Sequence, residues 1–192
     1  MIRDATDIDR EAVAAMLARA FADDPAMSYI FPDPSERAKR LPRLFGLLFD
    51  ADAAGLRLVT GDAQAATLWQ RPGTPRASTV DLLRRAVALV TTLGFAMPRA
   101  MRVGEALDTH APPERHWYLH IAGVDPANQG KGLGGASIRE GLARAAADGV
   151  PAYLETATER NVALYRSLGF EVTSEWHVPK GGPKFWSMLR PS

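Results

Sequence analysis

The stretch that decides the fold lies about two thirds of the way along the chain and reads Gln129-Gly130-Lys131-Gly132-Leu133-Gly134-Gly135. Glycines that open a helix leave its first backbone N–H groups bare. These donors lie at the positive end of the helix dipole, where an anion is stabilised. The segment therefore predicts a phosphate-binding loop.

Two known phosphate loops compete for this interpretation. A P-loop needs Ser or Thr after its Lys, and this chain has Gly132 there, so that loop is excluded. The dinucleotide pattern G-x-G-x-x-G does fit Gly130, Gly132 and Gly135, with Glu155 at about the right distance for a ribose contact. However, residues 125–129 separate these glycines from the preceding strand, and too little chain follows for a parallel sheet. A nicotinamide-dependent reductase stays open as the weaker alternative.

The residues on either side of the loop predict a strand before it and a helix after it. Residues 117–124 (WYLHIAGV) have strand-forming composition, and Asp125-Pro126 ends the run. The Ala-rich residues 136–147 predict a helix that Asp148-Gly149 ends.

Strand, turn and glycine-opened helix resemble the acyl-coenzyme A site of the GNAT superfamily of N-acetyltransferases. That site has Gln or Arg, two residues, Gly, one residue, then Gly or Ala, and Gln129, Gly132 and Gly134 fill the pattern. Residues 154–156 (LET) and 160–170, which end in Leu-Gly-Phe, are similar to the second half of that fold. Within the superfamily the likeness is nearest to the puromycin N-acetyltransferase-like bacterial members. Since residues 73–115 match no such pattern, the drug itself is not carried over as substrate.

The composition excludes several other classes. The chain has 192 residues, is 46% hydrophobic and has a net charge of +1, which predicts one domain over residues 1–192 and no nucleic-acid or membrane partner. It has no Cys, so a thiol acyl-enzyme and a thiolate metal site are excluded, and we expect no metal. The start of the chain lacks the pattern of a signal peptide, and no apolar run suggests a membrane span, so we expect a cytoplasmic protein. Exposed sheet edges of such a fold allow a homodimer.

Hydrophobic period and turn residues predict an α/β (α+β) fold, in which a mixed central sheet is flanked by helices. The predicted elements are a helix after Thr6 that ends by Asp24-Pro25, a helix near 35–54, strands near 56–60 and 65–70, two helices or one kinked helix between 79 and 101 with breaks at Gly94 and Pro98, and closing strands near 170–177 and 184–189.

Acetyl transfer to an amine needs a group that accepts a proton, because an alkylammonium has a pKa of roughly 10. Glu155, at the end of a strand predicted to face the glycine loop, is the best candidate for this base, and the resemblance implies the same role. His120 on the neighbouring strand is the reserve, although a partly buried, hydrogen-bonded His is the commoner state of such a residue.

Tyr165 is the candidate acid for the departing thiolate. It lies four residues after Asn161, so both project from one helix face. The resemblance directs Tyr165 to the sulfur and Asn161 to the pantetheine arm, and it implies that acetyl-coenzyme A is the co-substrate. A backbone N–H near Gly123 or Val124 is the expected oxyanion donor. The residues predicted to bind the pyrophosphate are Gln129, Gly130, Lys131, Gly132, Leu133, Gly134 and Gly135, with Lys131 or Arg139 assisting.

The sequence thus predicts an N-acetyltransferase that moves acetyl directly from acetyl-coenzyme A to a primary amine of a small molecule, through a ternary complex. One alternative is an acyl-coenzyme A binding or sensing module without turnover. The other is the nicotinamide-dependent reductase. The identity of the acceptor amine stays open.

Overall fold

A computed structural model describes residues 1–73 and 79–192, with the backbone alone for residues 79–85. Its centre is a seven-stranded sheet in the order β1-β2-β3-β4-β5-β7-β6. The strands are β1 Ile2–Asp4, β2 Leu56–Thr60, β3 Ala65–Gln70, β4 Trp117–Val124, β5 Ala152–Thr156, β6 Glu171–His177 and β7 Lys184–Arg190.

Helices cover both faces of this sheet, which confirms the predicted mixed α/β class. Short 3-10 turns occupy Asp7–Asp9, Gly94–Ala96, Pro126–Asn128 and Ala146–Asp148. The helices are α1 Arg10–Ala20, α2 Pro25–Ile30, α3 Pro34–Ala51, α4 Thr79–Leu93, α5 Met97–His110, α6 Leu133–Ala145 and α7 Glu159–Ser167.

The pairing of the strands excludes a dinucleotide-binding sheet. Among the described strands only β4 and β5 run parallel, and the other five pairs are antiparallel. A doubly wound dinucleotide fold needs a mostly parallel sheet. The structure therefore contradicts the fold that a nicotinamide-dependent reductase of this type requires.

Two of the local predictions need correction. The first helix does end before Asp24-Pro25, and the Asp24 carboxylate accepts the N–H groups of Ala26 and Met27 and so begins α2. The 3-10 turn at Gly94–Ala96 confirms the predicted break at Gly94 and gives two helices, whereas Pro98 is no break, because it lies in the first turn of α5, where its missing N–H costs nothing. Thr6 precedes a 3-10 turn rather than α1 itself.

The sheet separates two apolar cores. On one face, α6 and α7 pack on Trp69, Trp117, Leu154 and Met188, all fully buried or nearly so. On the other, α1, α3 and α5 pack on residues such as Ile121. A side chain of β4 or β5 therefore reaches one of two different environments according to its position along the strand.

Strand β4 is irregular where it meets its neighbours. Its register with β3 passes from Leu68↔Ile121 to Trp69↔Leu119, so His120 is an extra residue at a β-bulge. Its pairing with β5 covers Trp117 and Tyr118 alone. Beyond Tyr118 the side of β4 that faces β5 has no registered strand partner among the described residues, which leaves an open gap in the sheet.

One helical stretch of the described residues, Ala86–His110, is long and apolar enough by length and composition to cross a membrane. This stretch was not expected from the sequence. The 3-10 turn at Gly94–Ala96 divides it into α4 and α5, and a single stretch of this kind is weak support for insertion.

Candidate active site

A cavity of about 940 Å³ lies where the glycine loop, α7 and the carboxyl end of β4 meet. Lys131 is the one loop residue that does not line it, and its Nζ donates to Asn128 Oδ1 at 2.8 Å. The predicted site residues that line this cavity are Gly123, Val124, Gln129, Gly130, Gly132, Leu133, Gly134, Gly135, Asn161 and Tyr165.

The loop leaves the first backbone N–H groups of α6 without a side-chain cap. The Asp125 carboxylate caps the turn before it by accepting the Ala127 N–H at 3.0 Å, and Arg19 Nε donates to the same carboxylate at 3.0 Å. Gly132 is the N-cap of α6, and it supplies no side-chain bond to the first N–H groups of that helix. Because a Cβ at Gly130 or Gly132 would meet no atom within 4 Å, the loop has room for a ligand against its backbone. These features fit the pyrophosphate of coenzyme A.

Charged side chains of both signs border this cavity. Arg19 and Arg160 line it, together with Asp23 and Asp24. Arg139, which the sequence offered as an assisting cation, extends over Gly135 instead and does not line the cavity.

Tyr165 projects from α7 into the same cavity and is buried. Burial raises the pKa of its phenol to about 12, and the nearby charge of Asp24 contributes to the rise. The hydroxyl therefore stays protonated at neutral pH and is available as a donor. Asn161 lines the cavity one helical turn earlier, as the four-residue spacing predicts.

Asp24 is a further residue of this site, and its sequence context predicted only that the first helix ends before it. Its carboxyl is largely buried, and burial raises its pKa. Asp followed by Pro is a typical N-cap and first helical position, so the pair in the sequence did carry a signal for a new helix.

Glu155 lies in a second cavity, of about 400 Å³, together with Tyr118, Tyr153 and Asp108. The prediction that it faces the glycine loop is therefore wrong. Side chains alternate along β5, so Leu154 reaches the core of α6 and α7, while Tyr153 points the other way and donates to the backbone oxygen of His110 in α5. Glu155 shares the side of Tyr153.

The carboxylate of Glu155 is poised to exchange a proton near neutral pH. Its Oε2 is buried and has no hydrogen-bond partner among the described residues. Burial raises the pKa of Glu155 to about 7, against the lowering effect of the Tyr153 and Tyr118 hydroxyls and of the charge of His120. The Tyr153 hydroxyl also has hydrogen bonds with Ser187 Oγ at 2.9 Å and with His110 O at 3.1 Å. A pKa near 7 suits a general base.

His120 is partly buried and hydrogen-bonded, which is the commoner state that the sequence analysis weighed against a role as base. Its Nδ1 lies 2.7 Å from Asp52 Oδ2. In the described part of the chain no group of three or more His, Asp or Glu side chains is placed to hold a metal ion.

Several known proteins that are similar to this chain are acetyltransferases. The model of the Acetyltransferase (GNAT) family matches residues 85–170. An uncharacterized N-acetyltransferase of Schizosaccharomyces pombe is 29% identical over 92% of this chain and 76% of its own length.

Two solved structures share the fold along the whole chain. A histone acetyltransferase HPA2 and related acetyltransferase of Corynebacterium glutamicum is 26% identical, with a TM-score of 0.75, over 100% of this chain and 95% of that one. A polyamine N-acetyltransferase of Drosophila melanogaster is 14% identical, with a TM-score of 0.65 over 100% and 99% of the two chains, and it shows likeness of fold alone. The family match over residues 85–170 and these similar proteins support an acetyl-coenzyme A-dependent acyltransferase.

Proposed function

We propose that this protein transfers acetyl directly from acetyl-coenzyme A to the primary amine of a small molecule within a ternary complex. The observation that carries the proposal is a pair of cavities that share β4. Ala122, Gly123 and Val124 line the larger one, beside the bare helix start, and Tyr118 lines the smaller one, beside Glu155. One cavity suits an anionic nucleotide and the other holds a proton acceptor.

The larger cavity would bind the co-substrate through backbone groups. The N–H donors of residues 129–135 would take the pyrophosphate, and Asn161 would bind the amides of the pantetheine arm. The unpaired side of β4 beyond Tyr118 leaves a backbone N–H near Gly123 or Val124 to polarise the thioester carbonyl. Such a donor contributes roughly 3 kcal/mol to the transition state.

Two protons leave the nitrogen as an ammonium becomes an amide. Glu155 would accept one of them, which makes the amine neutral for attack on the thioester carbonyl. Tyr165 would donate a proton to the departing thiolate and recover one from the reacting nitrogen. The net products are an amide, a thiol and one proton that must reach solvent.

The size of the smaller cavity favours a small acceptor. Its volume of about 400 Å³ lies near the lower end of small-molecule sites. The motif likeness to puromycin N-acetyltransferase-like members supports a small-molecule amine as well. We also propose that residues 1–192 form one domain, because β1 near the start of the chain and β7 near its end belong to one sheet.

Release of free thiol from acetyl-coenzyme A, measured against a library of primary amines and N-terminal peptides, tests this function. We expect thiol release and an acetylated product with one class of small amine. A sensing module would instead show thermal stabilisation by acetyl-coenzyme A, about 2.7 kcal/mol at a hundred times its Kd, with no thiol for any amine. Turnover with peptides alone would reject the small-molecule acceptor.

A further inference from the structure

A buried acid–imidazole pair lies beside Glu155 and has no part in the acetyl transfer proposed so far. Asp52 directly follows α3, and its side chain is 0% exposed. Its Oδ2 accepts a hydrogen bond from His120 Nδ1 at 2.7 Å, and its Oδ1 accepts one from Gln70 Nε2 at 2.8 Å. A buried carboxylate is costly unless such donors surround it, and this one holds the imidazole in a fixed position.

The hydrogen bonds set the tautomer of His120. A carboxylate only accepts, so Nδ1 carries the hydrogen and Nε2 keeps its lone pair. Gln70 Nε2 is 3.2 Å from Nδ1, but both nitrogens are donors in this arrangement, so that contact is not a hydrogen bond. Among the described residues no hydrogen bond reaches Nε2, and the side chain is 20% exposed. The nitrogen that is able to take a proton is therefore unoccupied by the described protein groups.

The β-bulge places this imidazole next to the base. The His120 ring stacks on Tyr118 with 5.4 Å between ring centroids, and the Tyr118 hydroxyl borders Glu155. The charge of His120 acts on Glu155, and that of Asp52 acts on Tyr118. Tyr153 on β5 and Asp108 on α5 also act on Glu155, and the other charged or titratable residues that line its cavity are Arg71, Glu114, Arg115 and His116.

Glu155 itself must lose its proton before each new turnover. It is mostly buried, and its Oε2 has no hydrogen-bond partner among the described residues through which the proton would leave. The His120 side chain is 20% exposed, and its charge acts on Glu155.

We infer that Asp52 and His120 form a relay pair that carries the acceptor's proton from Glu155 to solvent. An N–H bond of the ammonium breaks as an O–H bond forms on Glu155. That O–H bond then breaks as an N–H bond forms on His120 Nε2, through the Tyr118 hydroxyl or a water. Asp52 stabilises the resulting imidazolium, which releases the proton to water. Nothing is oxidised or reduced, and both residues act through Glu155 as positioning residues. The inference rests on the proposed function.

The test compares His120→Asn and Asp52→Asn with His177→Asn, a control on an exposed histidine of β6. Asn at position 120 keeps an N–H near the place of Nδ1 and removes Nε2, so it preserves the bond to Asp52. We expect each variant of the pair to lower kcat by about ten- to a hundredfold at pH 7, with an unchanged KM for acetyl-coenzyme A. The loss should shrink towards pH 10, where the amine is already neutral. The double variant should lose no more than either single one, because the pair acts as a unit.

Two results would overturn the relay. In the first, His120→Asn is folded and keeps the kcat and pH profile of His177→Asn within twofold. In the second, only Asp52→Asn loses rate, with a lowered Tm, which makes Asp52 an architectural residue. If Asp52→Asn does not fold, His120→Asn decides alone. A wild-type protein that acetylates no amine would contradict the proposed function instead, so the two failures are distinguishable.

Discussion

The two cavities are built in different ways. The part of the larger cavity that we propose for the pyrophosphate is the backbone of one contiguous loop, residues 129–135, and a helix start. The smaller is assembled from side chains that are far apart in the sequence, such as Gln70, Asp108, Tyr118 and Glu155. A site made of contiguous backbone is visible in a sequence pattern, whereas a site made of converging side chains depends on strand faces and tertiary packing.

The difference also separates binding from chemistry. Changes to the backbone loop should act on the KM for acetyl-coenzyme A, and changes to the side-chain cavity should act on kcat. Variants in the two cavities test whether KM for acetyl-coenzyme A and kcat respond separately.

The largest expected effect is that of Glu155→Gln on rate. Removing the base should lower kcat/KM for the amine by about a thousandfold at pH 7, because the acceptor ammonium then has no group to take its proton. The difference in kcat/KM between wild type and Glu155→Gln should decrease towards pH 10, where the amine is already neutral. Since burial raises the pKa of Glu155 to about 7, wild-type kcat/KM should fall as pH drops below that value.

Glu171→Gln, on the exposed surface of β6, is the matched control. A constant ratio between wild type and Glu155→Gln from pH 6 to 10 would remove Glu155 as base.

The same substitution should stabilise the fold at alkaline pH. An acid whose pKa rises from 4.5 unfolded to about 7 folded binds more protons in the folded state, so the free energy of unfolding decreases as pH rises through that window. Above pH 7 the ionised Glu155 then costs about 3 kcal/mol. Glu155→Gln removes this cost, and its Tm relative to wild type should rise by about 6 °C between pH 5 and pH 8. Scanning calorimetry at the two pH values measures it, and an unchanged Tm difference would mean that the buried carboxylate carries no such penalty.

Gly132→Val should raise the KM for acetyl-coenzyme A by about a hundredfold, equivalent to about 2.7 kcal/mol. Gly132 has a φ of 75°, and a Cβ at this position would meet no atom within 4 Å, so the new side chain would occupy the space of the phosphate. Gly149→Val is the matched control, because Gly149 has a φ of 61°, the same open surroundings, and no place in either cavity. Both variants carry the left-handed backbone penalty of roughly 1–2 kcal/mol.

A rise in KM shared by both glycine variants would trace the effect to lost stability rather than to phosphate approach. A normal KM in a folded Gly132→Val protein would reject the loop as the pyrophosphate site.

Much of the fold could be predicted where the signal is local. The strands near 56–60 and 65–70, and the helix after the glycine loop, follow from period and turn residues. The short elements β1 and α2 were missed because three and six residues carry too little period. The prediction for the Glu155 side chain was wrong for another reason. Side chains alternate between the two faces of β5, but the sequence does not show which face each one takes. The burial of Leu154 in the structure shows it. Asp52, 68 residues before His120, carried no local signal at all.

Tyr165→Phe should lower kcat by about tenfold or more, with little change in the KM for acetyl-coenzyme A. Phe keeps the edge contact of the ring with Phe170, so only the donor is lost. Because burial raises the pKa of Tyr165 to about 12, the wild-type phenol stays protonated, and the deficit should be constant from pH 6 to 10. Tyr29→Phe is the control, since the Tyr29 hydroxyl donates to the Pro179 carbonyl outside both cavities. Turnover of Tyr165→Phe at the level of this control would leave Tyr165 a packing role.

The smallest expected effect is that of Lys131→Ala, and it tests whether the loop binds phosphate through its backbone. Lys131 Nζ donates to Asn128 Oδ1 and does not line the cavity, so its removal should change the KM for acetyl-coenzyme A by less than about twofold. Arg160→Ala removes a cation that does line the cavity, and we expect it to raise that KM by about five- to tenfold. Measuring both at low and high salt separates the local contact from general screening. If Lys131→Ala instead raised the KM for acetyl-coenzyme A more than Arg160→Ala does, the Lys131 side chain would have to leave Asn128 and bind the ligand. The loop would then bind phosphate through a side chain, which contradicts the distinction between a backbone site and a side-chain site.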